Sequence, residues 1–125
     1  MVQRHSDAVV AGGPLVFVSG QLPLDADGMV VDGDAAAQAR QALRNVGAVL
    51  ADHGTDARHL VKLTHYLRHT ADLEDVRRAV DEYLGSGPRP ASTLVEVSGL
   101  EDPRFLVEVD AVARLPRGRQ EPGQR

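Results

Sequence analysis

The chain has 125 residues, of which 42% are apolar and 26% charged, with a net charge of −4 and no cysteine. That length fits one domain with one modest core. The acidic balance argues against the clustered basic face of a nucleic-acid binder, and the lack of cysteine excludes disulfides, thiolate metal sites and a cysteine nucleophile. No apolar run nears the roughly 20 residues of a membrane span, and the opening Met1-Val2-Gln3-Arg4-His5 lacks the long apolar core of a signal peptide. A cytoplasmic setting without a membrane partner is therefore expected. Aromatic residues make up only 3% of the chain, so Val, Leu and Ala must fill the core, and a small domain of that kind gains burial by oligomerising.

In chain order, Ala8 to Ala11 is a short apolar run stopped by the turn signal Gly12-Gly13-Pro14. Leu15 to Ser19 is a second such run, and together they predict a β-hairpin. Pro23 to Gly33, rich in Pro, Asp and Gly, reads as a loop with a brief strand at Met29-Val30-Val31. Asp34 is an N-cap candidate. From Ala35 to His53, the spacing of Ala39, Leu43, Val46 and Leu50 predicts an amphipathic helix, closed by Gly54. Leu60 to Leu67 reads as a strand. Thr70-Ala71-Asp72 opens a second helix, with Leu73, Val76, Val80 and Leu84 on one face, and Gly85-Ser86-Gly87-Pro88 ends it. Two strands follow, in Arg89 to Val97 and Leu106 to Ala113. From Pro116 to Arg125 the chain has no apolar side chain beyond proline, which predicts a disordered tail after a single domain over 1–115.

Strands alternating with helices point to an α+β fold, two helices on one face of a mixed β-sheet. The other sheet face then needs cover, which an oligomer supplies.

The strands carry acids: Glu96 after Leu94 and Val95, and Glu108 and Asp110 alternating with Val107 and Val109. A carboxylate on a strand of a small domain is solvated, paired or functional. Glu108 and Asp110 share a strand face roughly 6–7 Å apart, which suits either an acid/base pair or a structural, interfacial pairing. His65 and His69 lie near His59 and Asp72, but on a strand they stand roughly 13 Å apart, too far to chelate one ion. All three histidines therefore read as surface residues, and neither a metal nor a cofactor is expected. Ser19 and Ser92 lack a Gly-x-Ser-x-Gly elbow, and Arg117-Gly118-Arg119 is too short for a nucleic-acid arm.

Four segments resemble the Rid/YjgF family in order and spacing. They are Ser19-Gly20-Gln21-Leu22-Pro23, the helix from Ala37 through Gln38, Arg40, Gln41, Leu43 and Asn45 to Val46, the strand Val61-Lys62-Leu63-Thr64, and Arg89-Pro90-Ala91 with the strand beyond it. The resemblance covers about residues 5 to 115. It implies a chorismate-mutase-like fold, a homotrimer, and small-molecule sites in clefts between subunits, where active members hydrolyse enamines and imines.

Carried over residue by residue, the resemblance makes Glu108 the glutamate that positions the attacking water. It makes Gly20 the turn glycine of the ligand site, and it brings His5 near an aromatic ligand-binding position. Arg77 replaces an asparagine of the second helix. Ser92 replaces the arginine that grips the substrate carboxylate. A serine hydroxyl offers one neutral hydrogen bond and no fork, a difference of about 1.5–3 kcal/mol in ligand binding. Arg77 and Arg89 are the candidates to stand in for that arginine, or they are solvated surface residues. Two functions remain open: an enamine/imine hydrolase, or a specialised binding protein that keeps the cleft without deaminating.

Overall fold

In a computed structural model of the chain, residues 4–116 are described. The tail expected over 116–125 lies, from 117 onward, outside the described residues. The elements are β1 (Leu15–Gln21), α1 (Ala35–Asp52), β2 (Leu60–Leu67), α2 (Leu73–Leu84), β3 (Ala91–Glu96) and β4 (Val107–Arg114), with short 3-10 turns at Ala57–His59 and Thr70–Asp72.

The strands form one mixed sheet in the order β1-β4-β2-β3. β4 is antiparallel to both β1 and β2, and β3 is parallel to β2. The parallel pair requires a crossover, and α2 supplies it. Both helices cover one face, where α1 packs on α2, β4 and β1. Period-two alternation along β4 decides which face is which. Val107, Val109, Ala111 and Ala113 are buried under the helices, while Glu108 and Asp110 point to the uncovered face.

Asp34 caps α1, its side chain accepting from the Ala37 backbone N–H at 2.9 Å. At the far end Gly54 takes φ +78, a left-handed conformation that glycine adopts without strain. The core follows from the α1 spacing: Leu43, Val46 and Leu50 meet Val76 and Ala79 of α2 and Leu63 and Leu67 of β2. Two polar residues of α1 also face inward. Gln38 donates to the carbonyl of Arg104 (3.0 Å) and accepts from the Leu106 N–H (2.7 Å). Asn45 donates to the carbonyls of Leu22 and Leu24, each at 2.9 Å. These bonds pin the chain just before Glu108 and just after Gly20, which gives the Gln38 and Asn45 pattern its physical reason.

The expected hairpin of Ala8 to Ala11 with Leu15 to Ser19 does not form. β1 is one edge of the sheet, whereas the N-terminal segment lies along the opposite edge. There Ser6 bridges Ala91, its N–H donating to the Pro90 carbonyl (3.1 Å) and its hydroxyl to the Arg89 carbonyl (2.6 Å). Met29 to Val31 forms a single bridge, Leu24 to Val30, around a turn in which Asp25 accepts from the Asp27 and Met29 N–H groups.

Candidate functional site

On the uncovered sheet face, Glu108 of β4 stands opposite Tyr66 of β2. Beside them β1 carries an irregularity: Val18 pairs with Ala111 but Gln21 pairs with Val109. The extra residue makes a bulge at Ser19-Gly20, and bulges redirect the chain and often border sites. Here the bulge brings Gly20 against the Glu108 carboxylate, where a Cβ would overlap Oε2. Glycine is needed for that close approach.

Glu108, Tyr66, Asp110 and Glu101, together with Val97, Gly99 and Leu100, line a cleft of about 460 Å³. The Tyr66 hydroxyl donates to Asp110 Oδ2 at 2.8 Å, and this bond raises the tyrosine pKa. The Glu108 pKa is pushed up to about 7, first by burial, then by a hydrogen bond with the Glu101 carboxyl and by the negative charges of Glu101 and Asp110. A carboxyl in that range can both take and return a proton near neutral pH. Glu101 and Tyr66 join this group without a motif in the sequence to announce them.

The other sequence-predicted site residues lie elsewhere. Ser92 of β3 pairs with Leu63 of β2, a buried residue on the helix side. Ser92, His5, Arg77 and Arg89 line a cavity of about 950 Å³ under α2, with Arg4, Asp81, His65, Val76, Val80 and Leu94. Arg89 donates to Asp81 Oδ1 (3.2 Å) and to the Gly85 carbonyl (3.0 Å), and Arg77 to Glu74 Oε1 (2.9 Å). Within one chain, then, Glu108 and Gly20 meet on one face of the sheet, and Ser92, His5, Arg77 and Arg89 gather on the other.

His65 corrects the surface reading of the histidines. It is 4% exposed because β2 is an inner strand and its odd positions, Leu63, His65 and Leu67, all face the helices. The imidazole Nδ1 bonds to the Thr93 carbonyl at 3.3 Å, and burial lowers its pKa. Among the described residues, no three His, Asp or Glu side chains group so as to hold a metal ion, and no helix is long and apolar enough to cross a membrane.

A four-stranded mixed sheet with both helices on one face, and carboxylates clustered at the open face, defines a small α+β domain. A family model described as Endoribonuclease L-PSP matches residues 1–115, and the chain belongs to this family, the Rid/YjgF family. It is 42% identical to Protein DfrA of Myxococcus xanthus, over 87% of this chain and 83% of that one. It is 37% identical to the 3-aminoacrylate deaminase RutC of Acinetobacter baylyi, over 81% of this chain and 79% of that one. Among solved structures, a Rid-family protein of unknown function from Yersinia pestis, YyfA, superposes with a TM-score of 0.77 at 32% identity. That match covers 92% of this chain and 90% of the other. The chain thus has the YjgF-type, chorismate-mutase-like fold.

Proposed function

We propose that this protein binds a small metabolite between subunits and hydrolyses a reactive enamine or imine, releasing ammonia, with Glu108 as the proton carrier. The observation that carries this reading is the Glu108 carboxyl, held against Gly20 in an open cleft with its pKa raised to about 7. The relationship to a 3-aminoacrylate deaminase supports the substrate class. In the reaction, a water oxygen bonds to the imine carbon while Glu108 takes a proton from that water. That proton passes to nitrogen to give a carbinolamine; the hydroxyl proton then moves to nitrogen, again by way of Glu108, as the C–N bond breaks and C=O forms, and ammonia leaves.

The split of the site residues bears on assembly. Ser92 and Glu108 lie on opposite faces of one sheet, so a ligand touching both must sit between two copies of the chain. Phe17 supports such an arrangement. It is 74% exposed on the uncovered face, beside its register partner Val112, and apolar surface of this kind favours burial. A homotrimer, three chains of 13.4 kDa, meets both demands.

A second reading is a member of the family that keeps the cleft and does not deaminate amino-acid-derived substrates. Ser92 favours it, because a hydroxyl cannot supply the fixed charge that a carboxylate substrate calls for. Ammonia release from freshly generated 2-aminoacrylate, with wild type and Glu108→Ala, separates the two. Release that depends on Glu108 supports the hydrolase, and no release above background supports the binding protein. Light scattering at about 40 kDa supports the trimer, and a stable monomer overturns the shared cleft.

A further inference from the structure

His65 is out of place in its row. Its neighbours on the same face of β2, Leu63 and Leu67, are fully buried apolar residues, and the α2 side chains beside it in the cavity, Val76 and Val80, are apolar too. The Thr93 carbonyl can only accept, so the Nδ1 bonded to it carries the proton. The second nitrogen, Nε2, is therefore a bare lone pair. It is buried and has no hydrogen-bond partner. Buried polar atoms are nearly always paired, and an orphan calls for an explanation.

The cavity that His65 lines offers one. Its floor is apolar, with Val76, Val80 and Leu94, and its remaining wall is polar: Arg4, Arg77 and Arg89 with His5, Ser92 and Asp81, Glu74 pairing with Arg4 and Arg77 from outside the lining. Arg4 and Arg89 share Asp81, at 3.0 and 3.2 Å. Each guanidinium has five N–H donors, which leaves capacity for a carboxylate. An anion by the arginines, an apolar body on the valines and a donor group reaching the imidazole would satisfy every surface of the cavity.

Resting on the reading that this cavity is the ligand half-site, we propose that His65 is its specificity-determining residue. In this role the ring turns as the ligand seats, so that Nε2, which is closed off from the empty cavity, accepts a hydrogen bond from an O–H or N–H group on a small carboxylate. Ligands that carry such a donor, as 2-hydroxy, 2-amino and enamine acids do, are selected over those that lack it, because an unmatched donor or acceptor in a dry site costs affinity.

The test uses the full chain and two probes that differ in one hydroxyl, L-lactate and propionate, titrated while the His65 ring nitrogens are followed by ¹⁵N NMR. Lactate should bind about tenfold more tightly than propionate and should move the Nε2 resonance, which propionate leaves in place. His65→Leu should erase the preference by weakening lactate alone, and Arg89→Gln should weaken both. If His65→Leu does not fold, the wild-type Nε2 response to the two probes decides the matter by itself. Equal binding of the two, a preference that survives in His65→Leu, or binding of neither at tens of millimolar overturns the proposal, the first outcome meaning that Nε2 stays closed off from the ligand. Glu108→Gln should keep the lactate preference. Its loss of ammonia release bears on the hydrolytic reading alone, so the two can fail separately.

Discussion

Gly20 lies so close to Glu108 that a side chain at the glycine would stand where the carboxylate is. The obstructing atom belongs to the end of a flexible side chain, so Gly20→Ala should displace Glu108 toward solvent rather than strain the backbone. The stability cost should stay below the ~1–3 kcal/mol of an overpacked core. The chemical effect should be larger. Burial is the first cause of the raised Glu108 pKa, so a displaced carboxyl should titrate nearer the ordinary glutamate range. A ¹³C NMR pH titration of the Glu108 carboxyl in wild type and Gly20→Ala measures this, and a value still near 7 in the variant would contradict the packing argument.

The same carboxyl leaves a mark on stability. Its pKa is raised from 4.5 to about 7 on folding, so the folded state holds the proton more tightly than the unfolded one. Stability from this group is therefore fully present below about pH 4.5, declines as pH rises toward about 7 and is flat above. Glu108→Gln keeps a neutral group there and should remove that decline. The melting temperature of Glu108→Gln relative to wild type should thus climb between pH 4.5 and 7. Asp102, held down to about 2 by its bonds with Arg104, titrates outside this window. A constant difference across the window would mean that Glu108 is ionised throughout.

Local patterns carried most of the fold into the sequence. The Asp34 cap, the α1 row of Leu43, Val46 and Leu50, and the alternation in β4 depend on neighbours a few residues apart, and the elements form where those patterns lie. What depends on distant pairing was hidden. Ala8 to Ala11 looks like half a hairpin, yet the N-terminal segment runs along β3 because Ser6 finds Arg89 and Pro90. Glu101 comes from a loop and has no periodicity to announce it. His65 was legible. Strict alternation through Leu63, His65 and Leu67 places it with two leucines, and a period-two reading of β2 puts it inside. The face taken by Ser92 was not legible, since it follows from the register of β3 on β2, and no local signal sets a register.

The buried α1 row gives a direct check of the packing. Leu43 is 1% exposed among α1, α2 and sheet residues, and Leu43→Ala should cost about 2–5 kcal/mol in chemical denaturation, from lost transfer energy and the cavity left behind. Arg44, the next residue, is exposed and, among the described residues, bonds only along its own helix to Gln41. Arg44→Ala should change stability by about 0.5 kcal/mol or less. Comparable losses at both positions would mean that the helix is turned differently from the arrangement described.

Ser92 tests the proposed chemistry most directly. It lines the cavity under α2, about 950 Å³ in volume, which leaves space for a longer side chain between Arg89 and the valines. Ser92→Arg would place a planar fork of donors there, suited to a carboxylate in two parallel hydrogen bonds. Charged hydrogen bonds of this kind contribute about 1.5–3 kcal/mol, which corresponds to roughly a 10- to 150-fold gain in reaction with 2-aminoacrylate at low substrate concentration. The gain requires Glu108 to handle the proton, so Ser92→Arg combined with Glu108→Ala should fall back to background ammonia release. A gain in the single variant that disappears in the double ties Ser92 to substrate binding and Glu108 to the water, even though they lie on opposite faces of one sheet. It would also place both around one substrate, across a subunit boundary. No gain from Ser92→Arg, with wild type inactive as well, would favour the binding protein over the hydrolase. Wild-type activity already equal to that of Ser92→Arg would show that the chain grips its carboxylate by other means, and Arg77→Gln and Arg89→Gln would then identify which guanidinium does so.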